Sequence, residues 1–266
     1  MDAVGWEKMR SKNTDISNLL SCPSIFRLDA GLLNAGRLDS SDAIQQRYLD
    51  KSLLAWTIAI FTLVILAVKT INTSTVLREY WPLTPAILIL AAIIPSKIRK
   101  RSLAPIGIKS GQIISSLAVL VPTCVALFPA MFCGLWLLKY MGLGFPLQPV
   151  PPKGQPLILW MLYQLFYVAV AEEVFFRAYV HQNLLTLLGS STSDTKSARR
   201  WISIFLSAAC FAIAHIVISG QLIAAVTFVP GIVLGWLFIR TKCLLAPILF
   251  HGLANICYLA MVNMLI

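Results

Sequence analysis

Two adjacent carboxylates, Glu172 and Glu173, lie in the apolar run 157–180, with Arg177 one turn further on. An ionised side chain near the centre of a bilayer costs about 2.5–3.5 kcal/mol even on lenient insertion scales, so three charges this close need partners or a task. On a helix, Glu173 and Arg177 share a face in the favoured acid-before-base order, whereas Glu172 is turned about 100° towards another neighbour. The chain has 3 His. His215 closes Phe211-x-x-x-His215 and His251 opens His251-x-x-x-Asn255, each inside a further apolar segment, while His181 sits near the end of the first run and reads as an interfacial residue or a neighbour of the charges. A carboxylate, two imidazoles and an amide are the parts of a hydrolytic site. Glu172 with His215 could activate water as general base, His251 and Asn255 could donate to the oxyanion of a tetrahedral intermediate, and Glu173 with Arg177 would form a supporting ion pair.

Those residues must be carried by membrane-spanning helices. Of 266 residues, 58% are hydrophobic and 12% charged, and the mean hydropathy is +0.78; soluble domains average about 45–50% apolar and 25% charged. Taking about 20 apolar residues per span, the sequence predicts an all-α, polytopic transmembrane bundle of about seven spans: 53–71, 81–95, 113–138, 157–188, 201–219, 221–239 and 243–265. The chain divides into a polar N-terminal extension (1–52), three N-terminal spans (53–138), a Gly- and Pro-containing loop (139–156) and a helix bundle (157–266) whose last four spans hold the active-site cavity. Pro82, Pro85, Pro122 and Pro129 predict kinks in the second and third spans.

The net charge of +11 does not point to nucleic acid, because the cations lie between spans, where they set topology. One side collects the N-terminal segment, Lys97 to Lys109, Lys196 to Arg200, and Arg240 with Lys242; the other has only Lys69, Arg78, Lys139 and Lys153. The N-terminus is therefore expected in the cytosol and the C-terminus outside. The first long apolar run begins at Leu53, so no cleaved leader is expected. Cys22, Cys124, Cys133, Cys210, Cys243 and Cys257 form no C-x-x-C pair, and most read as small apolar side chains.

Residue counting tests convergence. Glu172 and His215 are equidistant from the turn near 193–194 and should be level. Reflecting His251 through its two turns lands near 208, about two helical turns away in the worst case. Gly231-x-x-x-Gly235 would let neighbouring spans approach closely.

Glu172-Glu173-x-x-x-Arg177, Phe211-x-x-x-His215 and His251-x-x-x-Asn255, in order on successive apolar segments, resemble the three motifs of the CPBP intramembrane proteases. That family groups type II CAAX prenyl endopeptidases with bacteriocin-processing and self-immunity proteins. The resemblance covers roughly residues 157–258 and leaves 1–156 unmatched. It implies an intramembrane endopeptidase acting on a membrane-associated protein or peptide, with Glu172 and His215 as the water-activating pair, His251 and Asn255 stabilising the oxyanion, and Glu173 and Arg177 in support. A bacterial inner membrane is the expected location, and the oligomeric state is not legible.

Three alternatives stay open. In a zinc-dependent version Glu172, His215 and His251 would be ligands around an open fourth position; the metal-free reading, with no cofactor, keeps Glu173 on Arg177. A transporter would use the carboxylates as a proton relay, and a catalytically silent scaffold would keep the fold and bind a partner.

Overall fold

The computed structural model describes residues 40–104, 110–143, 145, 156–189 and 196–265. The predicted N-terminal extension up to residue 39, and residues 144 and 146–155 of the predicted loop 139–156, lie outside the described residues. The described residues form helices and turns with no strand: α1 (Ser40–Thr73), α2 (Thr84–Ile98), α3 (Ser110–Tyr140), α4 (Leu157–Leu187), α5 (Lys196–Ser219), α6 (Phe228–Thr241) and α7 (Leu245–Leu265). Short 3₁₀ stretches, Leu77–Leu83 and Leu222–Thr227, lead into α2 and α6. Among the described residues seven helices are long and apolar enough to span a membrane, and each overlaps one of the predicted spans. The chain is an integral membrane protein.

Boundaries differ where local chemistry overrides hydropathy. α1 starts at Ser40, well before the apolar run, so the end of the polar extension is helical and continues into the first span. Pro85 lies in the first turn of α2, where a missing N–H costs nothing, and it marks a helix start instead of a kink. Pro122 and Pro129 lie within α3, which remains one helix.

α4 is the central element. It contacts α1, α2, α5, α6 and α7, while α3 packs outside it against α6 and α7. From Phe175 to His181 every side chain of α4 is buried. Many side chains exposed along the spans are apolar, among them Leu63, Val125, Phe166 and Val229, while the charges of Glu173 and Arg177 are inside. This arrangement suits a hydrocarbon solvent, which offers no partner to a polar group.

Three glycines set the helix spacing. On α6, a Cβ at Gly231 would stand 3.1 Å from the Ala208 backbone, and one at Gly235 would stand 3.3 Å from the Ile204 side chain, as the small-residue spacing predicts. On α7, a Cβ at Gly252 would lie 2.9 Å from the Leu165 Cα, so only glycine permits this approach of α7 to α4.

Candidate active site

α4 is not a uniform α-helix. It winds as π-helix over Gln164–Val168 and again over Val174–His181, on either side of the short α-helical turn Ala169–Glu173. Such π segments are rare and recur at functional sites because they re-aim side chains without ending the helix. Here they bracket the two glutamates.

Glu173 and Arg177 are both fully buried, and the ion pair expected from their spacing is present, with Nε 3.1 Å from Oε2. Its angle falls short of a hydrogen bond, since neither atom has a hydrogen-bond partner. The guanidinium is held otherwise by the face of the Phe211 ring, 4.8 Å from its centroid, and by a long contact of 3.5 Å to the Gly231 carbonyl. The other oxygen of Glu173 accepts a 2.7 Å hydrogen bond from Nδ1 of His251. Glu173 therefore joins α4 to α7, a contact beyond the support for which its spacing with Arg177 argued.

Glu172 has a different environment. Its side chain is one-fifth exposed, its Oε2 has no hydrogen-bond partner, and that oxygen stands 3.7 Å from Nε2 of His251. That separation is too long for a hydrogen bond. Glu172, His215, His251 and Asn255 line one cavity of about 710 Å³, walled mostly by apolar side chains such as Leu127 and Leu135 of α3. The structure thus brings together the four residues singled out for chemistry.

The tautomer of His215 follows from its partner. Nδ1 lies 2.9 Å from the Phe211 carbonyl, which can only accept, so Nδ1 carries the proton and a neutral ring leaves the Nε2 lone pair available. On α7, the Asn255 amide donates to Oε1 of Gln164 at 3.1 Å. This fixes its orientation and leaves its second N–H unassigned.

Three contributors were not singled out from sequence. Gln164, the first polar side chain in the α4 run, was visible as such on the same helical face as Glu172. Phe211 served only as a spacing marker, yet its ring lies against Arg177, His215 and His251, with centroids 4.3 Å and 5.8 Å from the two imidazoles. Gly252 had no signal beyond its place beside His251. His181 is fully buried, not interfacial, and bonds Ser203 at 3.1 Å.

Among the described residues no three of His, Cys, Asp and Glu are grouped so as to hold a metal ion. Glu172, His215 and His251 are not grouped in this way, although Nδ1 of each imidazole is bonded elsewhere, to Phe211 and to Glu173, which leaves both Nε2 atoms for other work. Of the cysteines, Cys124, Cys133, Cys210, Cys243 and Cys257 are free.

Residues 154–257, which include every site residue above, match the family model described as type II CAAX prenyl endopeptidase Rce1-like. No curated protein and no solved structure matches the chain.

Proposed function

We propose that the chain hydrolyses a peptide bond of a membrane-associated protein or peptide at Glu172, a reading supported by the match of residues 154–257 to the Rce1-like type II CAAX prenyl endopeptidase family model, which implies peptidase activity. The observation that carries this reading is the Glu172 carboxylate, with one buried oxygen unpartnered at the edge of an apolar cavity that also holds His215, His251 and Asn255.

A water molecule between Glu172 and His215 loses its proton to the carboxylate as its oxygen attacks the peptide carbonyl carbon. His251, with Nδ1 held by Glu173, and the Asn255 amide, held by Gln164, present N–H groups to the oxyanion. As an imidazolium, His251 makes the charges of Glu172, Glu173, Arg177 and His251 sum to zero, which a buried cluster favours. The tetrahedral intermediate then collapses, the C–N bond breaks, and the proton on Glu172 passes to the leaving amine. The apolar cavity suits the membrane-embedded part of the substrate.

The positive charge beside α2, α5 and α6 supports a cytosolic N-terminus, and a bacterial inner membrane is the reading we adopt. The test is cleavage of a quenched peptide by the protein purified in detergent. Wild type should cleave it, with or without a chelator, and Glu172→Ala and His215→Ala should not. Equal cleavage by either variant would remove the mechanism, and loss of activity on chelation with recovery on adding zinc would replace it with a metal-dependent one. Cargo transport that depends on Glu172 without any cleavage would favour a proton-coupled carrier.

A further inference from the structure

A second, smaller cavity of about 200 Å³ also ends at Glu172. It lies on the opposite side of α4 from the large one, between α4 and the ends of α1 and α2, with Asn72 and Trp81 among its lining residues. Gln164, Val168 and Glu172 line both cavities. Spaced four apart, they form one ridge of α4, so this ridge is the partition and Glu172 borders both cavities.

The two cavities differ in chemistry. The larger is walled overwhelmingly by apolar side chains, whereas the smaller gathers Asn72, Thr84, Tyr163, Gln164 and Glu172 around a much smaller space. Two of the polar atoms in its lining residues are buried without a hydrogen-bond partner, Oγ1 of Thr84 and Oε2 of Glu172. Polar side chains gathered around a space large enough for several water molecules suit a hydrated site. Its outer rim is pinned in place: Tyr167 donates to the Pro82 carbonyl at 2.9 Å and Trp81 meets Tyr163 edge-on at 5.5 Å.

We infer that the smaller cavity is a water inlet that supplies the hydrolytic water to Glu172 from the α1–α2 end of the bundle, while substrate occupies the larger cavity. The inference rests on the proposed hydrolysis. It resolves a difficulty within that reaction, because an apolar cavity filled by substrate would otherwise exclude the second reactant. A separate door lets water pass Glu172 to its place beside His215 while the peptide occupies the larger cavity.

Thr84→Phe fills the inlet, and Thr84→Ser leaves it open. Filling it should lower kcat about tenfold or more with KM within about twofold, since only water supply is touched, and Thr84→Ser should match wild type. A raised KM with kcat retained would make the cavity a substrate subsite, and unchanged kinetics in Thr84→Phe would show that water arrives elsewhere; either overturns the inference. A second readout does not need catalysis. In detergent, full-length Thr84→Cys should take up one more adduct of a small charged thiosulfonate than wild type, by mass spectrometry, and Glu172→Gln/Thr84→Cys should do the same. No extra adduct means a dry cavity and sinks the inlet even if peptide is cleaved. If wild type cleaves no peptide, the extra adduct still upholds a hydrated passage while the hydrolytic reading falls.

Discussion

Glu172 and Glu173 are chemically identical neighbours whose surroundings give them different work. Glu173 is sealed from solvent and divides its oxygens between Arg177 and His251, whereas Glu172 keeps a free oxygen at a cavity wall. Removing one partner of a buried ion pair leaves an uncompensated charge and costs about 3–5 kcal/mol. Glu173→Gln should accordingly lower stability by an amount of that order, read as a drop in Tm, while Glu172→Gln should unfold close to wild type. Equal Tm losses would mean that the two carboxylates share the structural role. The division was legible from helical spacing, which puts Glu173 with Arg177 and turns Glu172 away. The bond from His251 to Glu173 was not, because it depends on how closely α7 approaches α4.

That approach is decided at the scale of the helix. Counting residues reflected His251 through 231 to near 208, and the second of these steps agrees with the α5–α6 register, where Gly231 lies against Ala208. His251 reaches the site through the length of the Glu173 side chain and lies edge-on to Phe211, one turn before His215 on α5. Gly252 allows the contact, since a methyl group there would press on the Leu165 backbone. Gly252→Ala should cost about 1–3 kcal/mol by overpacking, and it should reduce peptide cleavage because α7 carries both His251 and Asn255 away from α4. A variant with wild-type Tm and wild-type cleavage would show that the interface is slack. The π-winding of α4 was invisible to hydropathy and periodicity, since both assume one regular turn. It flanks the turn that carries Glu172 and Glu173 without a break in the span.

Over the whole molecule, the sequence carries the span count plainly, because hydrocarbon thickness leaves few ways to arrange seven apolar runs. It does not carry the walls of the site. α2 and α3 lie outside the family match, yet α3 lines the large cavity and α2 the small one. Their side chains show no motif, only apolar bulk, so their contribution emerges on packing. The cation distribution makes an orientation prediction at the same scale: a tag at the N-terminus should lie on the same side as Arg99 to Arg101, and a tag at the C-terminus on the other, by protection from added protease. Both tags on one side would require an even number of spans. The central claim is that the Glu172 carboxylate activates water, and its most direct measurement is kcat for peptide cleavage by purified Glu172→Gln beside wild type, with Tm recorded on the same samples. General-base catalysis contributes about 10²–10⁴-fold, so kcat should fall by at least about a hundredfold with Tm unchanged. Cleavage at the wild-type rate, or full activity in Glu172→Gln alongside a dead but folded Glu173→Gln, would contradict the account.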